Sequence, residues 1–136
     1  MNELEEGSRL QLDFGKLVKV AANAPDVLPV AVQNVDTGEV ILVAYANELA
    51  LRSAIESRKA VFWSTSRKEL WEKGKTSGEM FDLVEVRVNC EQNSLVYRVR
   101  PQRGNICHTK NKAGEPRNCY YRRLDFETGE LDLLDP

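Results

Sequence analysis

The sequence is poor in the residues that bind metals and staple small folds. Among 136 residues there is one histidine, His108, and there are three cysteines, Cys90, Cys107 and Cys119. Three is an odd number, so at least one thiol stays outside any disulfide. No apolar run approaches the ~18 residues needed to span a bilayer as a helix. Neither sign of charge dominates: nineteen basic residues against twenty-one acidic ones give a net charge of -2. That balance weighs against nucleic-acid binding, which usually leaves a clear basic excess. No Gly-x-x-x-x-Gly-Lys-Ser/Thr pattern is present, which excludes a nucleotide-triphosphate P-loop. The start, Met1-Asn2-Glu3-Leu4-Glu5-Glu6, is acidic and lacks the apolar stretch of a signal peptide. The expected compartment is therefore the cytoplasm, where thiols remain reduced.

What is present reads as one globular domain over residues 1–136, with 42% hydrophobic and 29% charged residues. A chain of this length hides roughly two thirds of its unfolded surface and needs no staple. No linker, low-complexity tract or domain-scale repeat interrupts it. The turn Asp36-Thr37-Gly38-Glu39 is echoed by Glu127-Thr128-Gly129-Glu130. In each, glycine supplies a positive-φ position between two apolar strands. The first joins Leu28–Val35 to Glu39–Tyr45, the second Tyr120–Asp125 to Leu131–Leu134. Asn47 reads as the N-cap of a helix over Glu48–Arg58, with Leu51, Ala54 and Ile55 on its inner face. Ala60–Ser64 reads as a buried strand. From Thr65 to Glu79 the apolar pattern stops, and hydroxyls, cations and glycines crowd into a loop suited to offering N–H groups and charge to a phosphate.

Leu83–Cys90 alternates, with Val84, Val86, Val88 and Cys90 on one face. Gln92-Asn93-Ser94 then turns the chain into a strand over Leu95–Arg100. Cys90 is expected to cap the apolar face near this turn, with Asn89, Glu91 and Asn93 on the opposite side. The thiols fall within a thirty-residue stretch as Cys-x16-Cys-x11-Cys. Scattered cysteines usually serve as small buried hydrophobes, but thiolates also select zinc or iron–sulfur, and three fill three corners of a tetrahedron. Neighbours in extended chain point to opposite sides, so Cys107 and His108 do not easily bind one ion. A three-thiolate site with an open position, and His108 beside it as general base, has a chemical logic. Three thiolates over-compensate the zinc charge and acidify bound water less than imidazoles do, which leaves work for a base of pKa near ~6.5.

Four segments, Tyr45-Ala46-Asn47-Glu48, Phe62-Trp63-Ser64-Thr65-Ser66-Arg67, Leu70-Trp71-Glu72-Lys73-Gly74-Lys75-Thr76-Ser77-Gly78 and Ile106-Cys107-His108-Thr109, occur in this order. Together they resemble the phosphoribosyl-AMP cyclohydrolase family, from about Leu28 to Arg122. The resemblance implies the third step of histidine biosynthesis: hydrolysis of the N1–C6 bond of an adenine alkylated at N1 by phosphoribose. Alkylation places positive charge on the purine and makes C6 electrophilic toward an activated water. The implied fold is a β-rich α+β one, a mixed sheet folded on itself with one main helix, in an intertwined homodimer. The implied zinc ligands are Cys90, Cys107 and Cys119, drawn from both subunits, with His108 as candidate catalytic base. The implied substrate contacts are Ser64, Ser66, Arg67, Lys73, Thr76 and Ser77. Magnesium is implied as well.

The sequence departs from the family in three places. The aspartates of the family's magnesium segment are here Asn89, Glu91 and Asn93, so two carboxylates have become amides and magnesium affinity should fall. A position often histidine is Glu79, which with Glu72 is expected to restore some negative charge. The Cys107–Cys119 interval, through Lys110–Arg117, is about five residues longer, at a closure cost of tenths of a kcal/mol. Met1–Gln11 has no family counterpart and is expected to be disordered. Two other readings follow from the altered magnesium segment: a paralogue hydrolysing another modified purine nucleotide, and a non-catalytic zinc-stabilised dimer that binds nucleotides.

Overall fold

The computed structural model describes residues 2–72, 81–101 and 118–134. The elements are α1 (Glu3–Glu6), α2 (Lys16–Asn23), β1 (Leu28–Asn34), β2 (Val40–Ala46), α3 (Glu48–Ser57), β3 (Val61–Ser64), β4 (Glu69–Glu72), β5 (Phe81–Val88), β6 (Leu95–Pro101), β7 (Arg122–Leu124) and β8 (Leu131–Leu133). The fold is strand-rich α+β. A four-stranded sheet runs β2-β1-β6-β5, and β3-β4 and β7-β8 are separate hairpins. β1 pairs antiparallel with β2 and β6 with β5, while the central β1–β6 pair is parallel. A parallel pair needs a long crossover, and α3 with the β3–β4 hairpin lies within it. Among the described residues no helix is long and apolar enough to cross a membrane.

The repeated turn folds twice in the same way. Gly38 and Gly129 take φ of 80° and 74°, and each amide closes on a carbonyl four residues back, Asn34 and Asp125, at 2.9 Å. The Asn34 and Asp125 side chains each accept from two backbone amides of their turn. Asn47 caps α3, its Oδ1 accepting from the Ala50 amide at 2.9 Å. The helix stops one residue early, because Arg58 is left-handed at φ 59°. Its buried residues are Ala50 and Ala54, with Leu51 partly buried, whereas Ile55 is exposed. Small side chains let the helix sit close to β3, which turns Ile55 outward.

Four expectations are corrected. The stretch after Thr65 is not all loop, since Glu69–Glu72 forms β4 against β3, with Phe62 opposite Trp71 and Trp63 opposite Leu70. The alternation over Leu83–Cys90 is broken by a bulge: Leu83 pairs with Val99 and Glu85 with Arg98, so Val84 is an extra residue and lies exposed. Phe81 and Leu83 face the core before the bulge and Val86 packs on it afterwards. The strand ends at Val88, so Cys90 sits in the turn, exposed, rather than on an apolar face. Before Gln11 the chain makes hydrogen bonds to the C-terminal segment. Arg122 donates to the Leu4 and Gly7 carbonyls, Tyr121 to the Glu5 carbonyl, and the Leu131 amide to the Ser8 carbonyl. Helix α2, absent from the sequence reading, follows directly, so α3 is not the only substantial helix.

The core centres on aromatic rings. Phe62, fully buried, has its centroid 5.5 Å from Tyr97 on β6 and 5.2 Å from Trp71 on β4. The Tyr97 hydroxyl donates to the Val61 carbonyl at 3.2 Å, and burial pushes its pKa up to about 12. These contacts dock the β3–β4 hairpin onto the sheet. Phe62→Ala is expected to cost about 3–5 kcal/mol through lost apolar burial and a residual cavity. Tyr97→Phe, which loses one hydrogen bond and keeps the ring, is expected to cost about 1 kcal/mol. Urea denaturation midpoints check both; equal losses would show that the hydroxyl, not the ring packing, holds the hairpin.

Candidate active site

The β3–β4 turn brings three of the expected substrate contacts together. The Ser64 hydroxyl accepts from the Arg67 backbone amide at 3.2 Å and from its Nε at 3.3 Å, and lies 3.5 Å from the Ser66 hydroxyl. The guanidinium is thus folded back over its own turn, with an exposed ion pair to Glu69 at 3.5 Å. Lys68, left-handed at φ 54°, completes the turn. This polar edge opens on a cavity of about 350 Å³ against the second half of β2. Tyr45, Trp63 and Trp71 supply its aromatic lining, and Lys16 reaches it from α2. The sequence reading missed Lys16 entirely. The aromatic residues stood inside the quoted motifs, but nothing in their spacing showed that they share one wall. Lys73, Thr76 and Ser77 lie outside the described residues.

Asn89, Glu91 and Asn93 are also brought together, by a turn rather than by strand alternation. The Asn89 Oδ1 accepts from the Asn93 and Ser94 amides, both at 2.9 Å. Its Nδ2 donates to Asn93 Oδ1 at 2.6 Å, and Asn93 Nδ2 donates to Glu91 Oε2 at 3.3 Å. The amides therefore pass hydrogen bonds along the turn to the one carboxylate. Glu72 pairs with Val61 on the β3–β4 hairpin, which is tied to β5 at its Phe81 end. It stands far from this turn within one protomer, and Glu79 lies outside the described residues.

The cysteines are placed apart. The Cys119 amide donates to the Ile41 carbonyl at 2.9 Å, on the free edge of β2. Beside it, the Tyr120 phenol is pushed above its usual pKa by burial and by the Cys119 thiolate. Cys119 also lines a second cavity of about 280 Å³ with Leu4, Arg9, Gln11 and Tyr120. Cys90 sits in the turn that follows β5, which is at the opposite edge of the sheet. Ile41 is level with Val32 and Gln33, and through the ladder with Tyr97 and Val86, four residues short of Cys90. The two residues of one protomer thus flank opposite edges of the sheet, at least three strand spacings or about 14 Å apart across it. Two sulfurs on one zinc, each at ~2.3 Å, lie within about 4 Å of each other. Cys90 and Cys119 of one chain do not share an ion. Among the described residues no three His, Cys, Asp or Glu side chains form a metal-holding group. Cys107, His108 and the 110–117 insertion lie outside the described residues.

The model of the phosphoribosyl-AMP cyclohydrolase family matches residues 42–121. The phosphoribosyl-AMP cyclohydrolase of Archaeoglobus fulgidus is 46% identical over 99 residues, covering 73% of this chain and 86% of that protein. The phosphoribosyl-AMP cyclohydrolase of Caulobacter vibrioides is 38% identical over 119 residues, 87% of this chain and 82% of that protein. The histidine biosynthesis bifunctional protein HisIE of Aquifex aeolicus is 40% identical over 117 residues, 86% of this chain. Of bifunctional relatives the chain spans about half the length, 55% for Aquifex aeolicus and 46% for Thermus thermophilus.

Proposed function

Since the chain belongs to the phosphoribosyl-AMP cyclohydrolase family, we propose that it hydrolyses the adenine N1–C6 bond of phosphoribosyl-AMP in histidine biosynthesis. The observation that carries this reading is a juxtaposition on one sheet edge. The aromatic and hydroxyl-lined cavity beside Val43–Tyr45 lies only a few residues along β2 from Ile41, which holds Cys119. A flat purine carrying phosphates suits such a cavity, with apolar faces on aromatic rings and charge toward hydroxyls and a guanidinium.

In this reading zinc is held by Cys107 and Cys119 of one copy and Cys90 of another. The donor set fits, because Cys90 and Cys119 are both exposed and are too far apart to bind one ion within a chain. Zinc, when bound, is a Lewis acid that lowers the pKa of water at the reacting carbon. The chain's own residues do the rest. His108 takes the proton from the attacking water and returns it to the leaving ring nitrogen. Ser64, Ser66 and Arg67, joined by Lys73, Thr76 and Ser77, hold the substrate. A second copy also accounts for exposed apolar side chains that a lone protomer leaves in water, among them Phe14, Leu17 and Val18 near α2 and Phe126 in the C-terminal hairpin.

Asn89, Glu91 and Asn93 do not fit magnesium. The ion prefers charged oxygens, and here Glu91 offers the only carboxylate while the Asn89 oxygen is spent on two backbone amides. No step is assigned to magnesium at this turn. The other two readings, a paralogue acting on another purine nucleotide and a non-catalytic zinc-stabilised dimer, rest on this same segment, and turnover of phosphoribosyl-AMP decides among the three.

Three outcomes are expected. Cys90→Ser and Cys119→Ser are each inactive and zinc-depleted, yet mixing them after reversible dissociation restores about a quarter of wild-type activity and zinc, because half the dimers are hybrids with one intact site of two. No recovery on mixing would place all ligands in one chain. His108→Ala keeps full zinc content while turnover falls by about 10²–10⁴; unchanged turnover of phosphoribosyl-AMP would remove the histidine from the mechanism. The wild-type melting temperature does not respond to added magnesium, whereas Asn89→Asp with Asn93→Asp lowers it in chelator and regains it with magnesium, as carboxylate repulsion is relieved by the ion.

A further inference from the structure

Lys16 is the one lining residue of the β2-edge cavity that comes from outside the β2, β3 and β4 region. It opens α2, whose first turn has no acidic residue and whose preceding Gly15 makes no side-chain cap. A cation in the first helical turn opposes the helix dipole, so its position does not serve the helix. Lys19, one turn on, pairs with Asp13 at 3.6 Å. Lys16 has no acidic partner among the described residues. The same cavity is lined by the Ser64–Arg67 turn, where the Ser64 hydroxyl accepts from the Arg67 backbone amide and from its guanidinium Nε. The carboxylate paired with that turn is Glu69, in an ion pair exposed at both ends and 3.5 Å long. Pairs of that kind are worth at most about 1 kcal/mol, so an incoming dianion displaces it readily.

We propose that Lys16 is a specificity-determining residue that contacts a phosphate of the bound nucleotide, the group lying between its ammonium and the Ser64–Ser66–Arg67 turn. The assignment deepens the proposed function by stating where one substrate phosphate sits, and it rests on that reading for the identity of the nucleotide. Two cations and the serine hydroxyls lining one cavity with Tyr45, Trp63 and Trp71 match a phosphate and a flat base joined by a sugar. Lysine provides a point charge on a flexible stem, suited to a phosphate whose exact seat is set by the fixed Arg67 fork. Because the site is open to solvent, its contribution should weaken with salt.

The chain contains two tryptophans, Trp63 and Trp71, and both line this cavity. Intrinsic fluorescence therefore reads occupancy of the site directly, apart from turnover. Titration of the full-length protein with AMP and with adenosine is expected to show AMP bound about tenfold more tightly, the typical worth of a charge-assisted contact at an open site. Lys16→Gln should cut that preference about threefold, the Arg67 turn retaining the remainder, and Lys16→Arg should retain most of it, with adenosine affinity unchanged in both. In turnover, Lys16→Gln should raise KM for phosphoribosyl-AMP about threefold with kcat kept, the sign of a contact made equally in ground and transition states. Lys16 is exposed, and matching melting temperatures exclude a folding defect. An AMP preference in Lys16→Gln equal to that of wild type overturns the inference and leaves the cyclohydrolase reading standing. A reduced preference in a protein that does not turn over phosphoribosyl-AMP supports the phosphate contact and overturns the reaction instead.

Discussion

The stack of Phe62 between Tyr97 and Trp71 is the contact on which the rest of the molecule depends. Tyr97 stands on the central parallel pair of the sheet, and Phe62 and Trp71 stand opposite each other on β3 and β4. Besides these rings the hairpin meets the sheet through Ala60 and Val61 in the shared core and through the bridge of Lys59 to Asp82 with its flanking backbone bonds. Aromatic burial of this size contributes several kcal/mol. One hydroxyl bond, from Tyr97 to the Val61 carbonyl, then fixes the hairpin in register rather than merely against the sheet. The turn carrying Ser64, Ser66 and Arg67 inherits that placement. The cavity lined by Trp63, Trp71 and the Ser64–Arg67 turn is thus built on the strands of the hairpin as well as on its turn.

The sheet order has a second consequence. Joining two antiparallel hairpins through a parallel centre puts β2 and β5 on opposite edges. Cys119 is fastened to one edge and Cys90 rides the turn leaving the other, and no side-chain rotation closes that gap. Within one protomer the two thiols therefore stand at opposite edges of the sheet.

Local chemistry made part of this legible in the sequence. Gly38 and Gly129 mark turns that only a positive φ permits, and Asn47 marks a helix start, because each signal lies within a few residues of the structure it causes. The failures share one cause, which is that tertiary contacts decided them. Val84 looks apolar and in phase, but the bulge that expels it is set by the partner strand. Glu69–Glu72 has no strand periodicity and becomes a strand because β3 offers it a ladder and Phe62 offers Trp71 a surface. For the site, residue types were legible and their grouping was not. Ser64, Ser66 and Arg67 do converge, yet Lys16 belongs with them only because α2 lies against the β2 edge.

The amide-rich turn at Asn89–Asn93 is best understood by asking what Cys90 requires of its surroundings. A thiolate ligand is stabilised by nearby positive charge and by donors, and is disfavoured by carboxylates. Flanking Cys90 with aspartates would need a cation to offset them. Asparagines at the same places remove that demand, and they also close the turn themselves, with Asn89 accepting from two backbone amides and donating to Asn93. The turn, with Glu91 as its one carboxylate, presents the thiol in a geometry held by hydrogen bonds. Losing the carboxylates and keeping the cysteine are then parts of one arrangement, in which rigidity near the thiol comes from the chain.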